Sequence, residues 1–357
     1  MKEKIMVAMS GGVDSSVAAL LLQQQGHPIC GATLQLYSND SIGLCDSKTC
    51  CSLDDVDDAR RVCNKLNIDH FVFNMKEQFK HQVISVFARG YQCGETPNPC
   101  IECNRSIKFN CVLARAMQLD FDAIATGHYV QREYDAGSGR WLLKRAVDQN
   151  KDQSYVLYVL TQEVLSRTYF PLGGLSKQQV REAAEAHGLV TAKKSESQDI
   201  CFVPDGDYAR FLNEVMGIVS EPGHFITPQG EVVGRHSGML NYTIGQRRGL
   251  GISADRRLFV ISKNLHDNTV VVGDESLLMQ RRMMVDSLNW VSIKPPDAPV
   301  RADVKSRYRH PAQPAWLHPQ DDGRILVEFD LPQRALTPGQ AAVFYHDDIV
   351  LGGGTIR

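Results

Sequence analysis

Nowhere in its 357 residues does this sequence approach the roughly 20 consecutive apolar residues that span a bilayer. Its start, Met1-Lys2-Glu3-Lys4-Ile5-Met6, enters a strand-like segment directly, with neither the apolar core nor the cleavage site of a secretory signal. Such a chain is expected in the cytoplasm, with no membrane partner. An excess of charge of one sign is missing too. With 39 Lys and Arg against 41 Asp and Glu, the net charge is −2, so any surface for a polyanion has to be a local patch. Internal repeats and low-complexity segments are also lacking, which excludes solenoid architectures. The spacing of Cys45, Cys50 and Cys51 lacks the paired pattern of a structural zinc site, with only Cys93 and His70 available to complete one.

What is present is an apolar content of 43%, enough for two or three domains with their own cores. The first two hundred residues alternate between strand and helix patterns. Ile5–Met9 is a short apolar run, residues 16–25 have helical spacing with Gly26 as a stop, and residues 29–36 favour a strand. Ser52-Leu53-Asp54-Asp55 resembles a capping box, and its helix places Val56, Ala59, Cys63 and Leu66 on one face. A strand over 70–73, helices over 79–92 and 104–118, and a strand over 123–126 follow. This alternation predicts an α/β domain over 1–204 with a parallel sheet and a ligand site at the carboxyl ends of its strands. Past Pro204 the pattern changes to one helix (207–215), glycine-rich turns and short strands such as 258–262 and 269–273. A small mixed central domain is expected over 205–280. From 281 to 357 the short apolar runs bounded by Pro, Gly or Asp predict a β-barrel or sandwich.

Ser10-Gly11-Gly12-Val13-Asp14-Ser15-Ser16 lies between the first strand and the first helix. Two glycines let consecutive N–H groups turn toward one anion at a helix N-terminus. The lysine of a Walker A loop is absent, so pyrophosphate release suits this loop better than transfer of the terminal phosphate. Ten cysteines in a chain with no export signal point to thiol chemistry rather than a disulfide scaffold. Cys100 and Cys103 follow a Pro-Asn-Pro turn, which predicts a loop at the mouth of the sheet. Cys201 follows the polar stretch Lys193-Lys194-Ser195-Glu196-Ser197-Gln198. Cys30, Cys63 and Cys111 sit on apolar faces and read as core.

Ser-Gly-Gly-Val-Asp-Ser at 10–15 resembles the PP-loop of ATP pyrophosphatases. Over nearly its whole length the chain further resembles the tRNA-specific 2-thiouridylases. The matching segments are Thr96-Pro97-Asn98-Pro99, Cys103-Asn104, Ile107-Lys108-Phe109, Ala125-Thr126-Gly127-His128-Tyr129, Lys151-Asp152-Gln153-Ser154, Ile200-Cys201-Phe202, Gly245-Gln246-Arg247 and Thr337-Pro338-Gly339-Gln340. The resemblance implies an adenine nucleotide alpha-hydrolase-like PP-loop domain followed by a small central domain and a C-terminal barrel that contacts tRNA. It implies 2-thiolation of the wobble uridine through adenylation of the base O2. It places ATP against Ala8, Met9, Ser10, Gly11, Gly12, Val13, Asp14 and Ser15, with Leu34 and Gly127 near adenine and ribose; because hard cations prefer carboxylate and phosphate oxygens, Asp14 is the expected Mg2+ ligand. Cys201 would carry the persulfide, Cys103 would release the sulfur through a disulfide, and a relay protein would deliver it.

The resemblance assigns tRNA contacts to Asn98, Pro99, Cys100, His128, Lys151, Asp152, Gln153, Arg307, Tyr308 and Gln340. Arg307 and Arg309 flanking Tyr308 are phosphate donors beside a stacking ring. Basic pairs at 247–248, 256–257 and 281–282, set against acidic residues at 54–58, polarise the charge. Many family members carry aspartate where this chain has Cys100, and a thiol of ordinary pKa near 8.5 cannot copy a carboxylate at neutral pH. The general acid or base is thereby left unassigned. Cys100, Cys103 and Cys201 are also three candidate ligands for an iron–sulfur cluster with an open iron. Two other classes compete: a PP-loop ligase for a small molecule, which would need neither Cys103 nor Cys201, and a non-catalytic RNA- or metal-binding protein.

Overall fold

The computed structural model describes residues 2–38, 53–194 and 200–357. Cys45, Cys50 and Cys51, the cap Ser52 and the stretch 195–198 lie outside these. Strands β1 (Ile5–Ala8), β2 (Ile29–Gln35), β3 (His70–Asn74) and β4 (Ala123–Ala125) form a parallel sheet, extended by Thr168–Tyr169 beside β4. Ile5, Met6 and Val7 are fully buried, as expected of a central strand covered on both faces. Helices α1 (Val13–Gln24) and α2 (Leu53–Leu66) pack on the sheet, and the expected face of α2, Val56, Ala59, Cys63 and Leu66, is buried. The strand order, β3-β2-β1-β4, reverses direction at β1 and β4. The loops after these two strands therefore flank the crevice where such sheets bind ligands, and they are the Ser10–Ser16 loop and Thr126-Gly127-His128.

Two helices begin earlier than the sequence pattern suggests. The helix α3 spans 76–92 through a π-wound segment, Lys80–Ile84. The helix α4 spans 99–118, with a second π-wound segment at Cys103–Cys111. Cys100 and Cys103 thus lie in a helix and not in a loop. Asn98 caps α4 by accepting from the Cys100 amide at 3.0 Å, and Pro99 occupies the first helical position, where a fixed φ and a missing N–H cost nothing.

Strands Val130–Asp135 and Arg140–Arg145 form a hairpin that leaves the parallel sheet. Its second strand pairs with the C-terminal strand, Ile349 opposite Lys144 and Val350 opposite Leu143. The C-terminal sheet runs Met279–Trp290, Ile325–Arg334, Gln313–Pro319, Val300–Lys305, Ala341–His346, Ile349–Ile356, and the last strand pairs back onto the first to close a barrel. Alternate residues point inward: Ile325, Val327 and Phe329 are buried. Between the two lies a four-stranded sheet preceded by the helical stretch 208–215, which Asp207 caps. The barrel is tied to the first part of the chain by Arg357, which pairs with Glu95, and by the Thr96 amide, which donates to the Pro338 carbonyl at 2.9 Å. Among the described residues no helix is long and apolar enough to cross a membrane.

Candidate active site

The loop after β1 is shaped by one glycine and closed by two serines. Gly11 has φ +69°, and a Cβ there would meet the Asp55 carbonyl oxygen at 2.4 Å, so only glycine lets α2 approach this closely. Ser15 accepts from the Ser10 amide at 3.2 Å, and Ser16 donates to the Gly12 carbonyl at 2.8 Å. Gly12 provides no side-chain cap for α1, which leaves its first amides available to an anion. Gly127, after β4, packs on the same turn: a Cβ there would lie 2.7 Å from the backbone of Asp14 and Ser15.

A cavity of about 760 Å³ opens in front of this loop. Ser10, Gly12, Val13 and Asp14 line one end. Cys100 and Cys103 from α4 and Cys201 from the far side of the chain line the same space, with His128, Asn98, Pro99, Lys151, Gln153, Tyr308 and Gln340. The two thiols expected to do the chemistry therefore face one chamber with the nucleotide loop. Cys103 is buried and Cys201 half-buried, and the Tyr37 hydroxyl donates to the Cys201 carbonyl at 2.7 Å. Cys100 is open to the chamber, yet the protein walls around its thiol push its pKa up, with Lys108 opposing. His128 Nδ1 lies 2.9 Å from Thr126 Oγ1, and its ring packs 5.6 Å from that of Phe109. Burial, reinforced by the Lys108 charge, pushes its pKa down to about 3, so it works as a neutral imidazole near pH 7.

Other expected residues stand behind the chamber. Ala8, Met9, Gly11 and Ser15 belong to or adjoin the loop and Gly127 packs on it, while Leu34 on β2 packs against the hydrophobic core; none of the six lines the chamber. Asp152 accepts from the Ala146 and Ser154 amides at 3.1 and 3.2 Å and from the Ser154 hydroxyl at 2.7 Å. Arg307 Nη2 donates to the carbonyls of Ile244 and Ala335 at 3.2 and 3.1 Å, joining the turn that holds Ile244 to the end of the strand Ile325–Arg334. Gln340 lines the chamber and also donates to the Thr96 carbonyl. Tyr308, by contrast, is 40% exposed and presents a ring. Among the described residues no three His, Cys, Asp or Glu groups converge as metal ligands, so Cys100, Cys103 and Cys201 do not form a ready ligand set for an iron–sulfur cluster.

Three chamber residues, Lys177, Tyr129 and Lys108, were given no role from sequence. Lys177 Nζ lies 2.7 and 2.8 Å from the two oxygens of Asp14, and the Tyr129 hydroxyl donates to Asp14 Oδ1 at 2.7 Å. Lys194 pairs with Asp55 and Asp58 at 2.7 and 2.6 Å. Lys108 faces Cys100 and His128 closely enough to act on both titrations. The only signal for Lys108 and Tyr129 was their place in matched segments; for Lys177, a partner 163 residues away supplies the meaning.

Three family models cover the chain: one described as the tRNA methyl transferase HUP domain over residues 3–205, one as the tRNA methyl transferase PRC-barrel domain over 209–274, and one as the aminomethyltransferase beta-barrel domain over 280–356. The tRNA-specific 2-thiouridylase MnmA of Herpetosiphon aurantiacus is 49% identical over 353 residues, covering 99% of this chain and 98% of the relative. That of Heliobacterium modesticaldum is 48% identical over 358 residues, covering 100% of this chain and 93% of the relative. With a glycine-shaped nucleotide loop and two distant cysteines on one chamber, and with this likeness from end to end, the chain belongs to the tRNA-specific 2-thiouridylase family.

Proposed function

We propose that this protein uses ATP to activate the wobble uridine of tRNA and replaces its O2 with sulfur from a persulfide on Cys201. The observation that carries this reading is the single chamber shared by the phosphate loop, Cys103, Cys201 and an exposed ring, Tyr308. The loop amides hold the phosphates so that the uridine O2 attacks the α-phosphorus; an O–P bond forms, the bridging α–β bond breaks and pyrophosphate leaves. Asp14 is the carboxylate at hand for the divalent cation that accompanies ATP. The terminal sulfur of the Cys201 persulfide then attacks C2, and AMP departs with the former O2. Cys103 attacks the Cys201 sulfur, the S–S bond to the base breaks, 2-thiouridine is freed and a Cys103–Cys201 disulfide remains. An external dithiol reduces it, and a relay protein in the cytoplasm supplies the next persulfide.

A PP-loop ligase for a small molecule would have no use for the two thiols. The persulfide route is preferred to a cluster because the three cysteines lack convergent geometry, and iron and sulfide analysis of anaerobically purified, active protein checks that choice. Asn98, Pro99, Cys100, His128, Lys151, Gln153 and Tyr308 are proposed to meet the everted base and its neighbours, with Asp152, Arg307 and Gln340 holding them in place. The N-terminal domain of 1–204 catalyses, and the units at 205–280 and 281–357 present the tRNA. The reading is tested by mass analysis of nucleosides after incubating the protein with tRNA, ATP and a persulfide donor. 2-Thiouridine is expected only when all three are present; its absence, or its formation without ATP, ends the proposal.

Tyr308 supports a narrower test. Its ring packs 5.8 Å from that of Tyr155, and Lys305 Nζ lies 5.6 Å from its centre, so it is held as a platform. Tyr308→Ala is expected to weaken tRNA binding by about 1–3 kcal/mol, the worth of one base stacked on an aromatic ring, with ATP affinity unchanged. Equal tRNA affinity in a filter-binding titration would remove Tyr308 from the interface.

A further inference from the structure

We propose that Lys177 is the cation this phosphate loop lacks in its own sequence, binding the β- and γ-phosphates of ATP and then the departing pyrophosphate. The inference rests on the reading that the loop takes ATP. The loop offers amides and hydroxyls but no Walker lysine, while two negatively charged phosphates must be held as the α–β bond breaks. Lys177 begins the helix Lys177–Ala186, whose cap, Ser176, makes a reciprocal capping box with Gln179. Its amide donates to Asp148 at 3.0 Å, so its backbone is fixed from both sides. The side chain runs to the second residue of α1, where Nζ touches both Asp14 oxygens, and it is only 11% exposed while still lining the chamber.

Position separates Lys177 from the other lysine at this end. Lys194 is held between Asp55 and Asp58 of α2, whereas Lys177 reaches the second residue of α1, beside the amides that face the anion. When the nucleotide enters with its divalent cation, Asp14 is available to that cation and the ammonium turns to the phosphate oxygens. In the meantime Asp14 and the Tyr129 ring, 5.7 Å from Nζ, keep the lysine aimed at the loop.

The test uses the full chain and three probes, ATP, AMP and inorganic pyrophosphate, with binding measured by calorimetry. A charge-assisted hydrogen bond is worth about 1.5–3 kcal/mol, so Lys177→Ala is expected to weaken ATP and pyrophosphate roughly 10- to 100-fold. AMP should change no more than about twofold, and Lys177→Arg should regain most of the loss. Unchanged pyrophosphate affinity, or ATP and AMP weakened alike, would overturn the assignment, the latter indicating a purely structural ion pair. Should Lys177→Ala not fold, acylation of the unmodified protein decides. Pyrophosphate is expected to slow labelling of Lys177 but not of Lys65, whose ammonium bonds the Gly188 carbonyl at 2.7 Å. Equal labelling with and without pyrophosphate would also overturn it. An unmodified protein that binds no ATP at all would instead refute the functional reading, and the two failures are distinct.

Discussion

Replacing Cys201 with serine is expected to lower 2-thiouridine formation at least about a thousandfold, a loss typical of removing a nucleophile, while tRNA-dependent release of pyrophosphate from ATP continues within a few-fold. The argument is one of element and not of shape. Serine fits the site, and the Cys201 backbone is held by the Tyr37 hydroxyl, so the chamber should keep its form. An alkoxyl cannot store a sulfane sulfur, so only the second half of the reaction fails. The first half depends on the phosphate loop after β1, whose shape is set by its glycines and serines. Cys103→Ser separates the two thiols further. It should still attach sulfur to the base but leave the base joined to Cys201 through a disulfide, since the group that breaks the S–S bond is gone. A covalent protein–tRNA species on a non-reducing gel, dispersed by dithiothreitol, is the expected signature. Substantial thiolation by Cys201→Ser would show that sulfur reaches C2 from elsewhere, and the persulfide assignment would fall.

Local chemistry made much of this molecule legible in its sequence, and distant contacts hid the rest. The alternating apolar runs and the face formed by Val56, Ala59, Cys63 and Leu66 placed the parallel sheet and its helices, because burial dictates those periods. The nucleotide loop was legible because its glycines answer a local backbone demand. The start of α4 was misplaced because Pro97-Asn98-Pro99 reads as a turn, whereas a capping asparagine followed by proline is equally a helix start. The hairpin at 130–145 escaped notice because its strands are largely polar and one of them has its partner two hundred residues away, at Ile349 and Val350. Lys177 carried no local signal, since its meaning arises only where the fold sets it against Asp14. Arg307 shows what the fold adds to a local signal: its basic neighbourhood suggests phosphate binding, and one of its terminal nitrogens also donates to the carbonyls of Ile244 and Ala335.

Gly11→Ala is expected to cut the ATP-dependent step by about a hundredfold, the scale of a 1 Å misplacement in a catalytic constellation. Two costs act together. A positive φ costs an L-residue about 1 kcal/mol, and the added Cβ would stand 2.4 Å from the Asp55 carbonyl oxygen and 2.8 Å from its Cα. Because backbone cannot swing aside as a side chain can, the loop and α2 must separate. Asp55 is buried and paired with Lys194, so the displacement propagates along the wall of the chamber and not outward into solvent. Gly139→Ala supplies the comparison. It has nearly the same φ, +68°, at a hairpin turn where a Cβ meets nothing within 4 Å. That variant should lose about 1 kcal/mol of stability and keep its activity, which isolates the contact from the strain. Thermal denaturation alongside pyrophosphate release reads both quantities. If Gly11→Ala released pyrophosphate at the normal rate, the close packing of α2 on the loop would have no part in holding the phosphates; if the two variants lost activity equally, strain and not contact would be the cause.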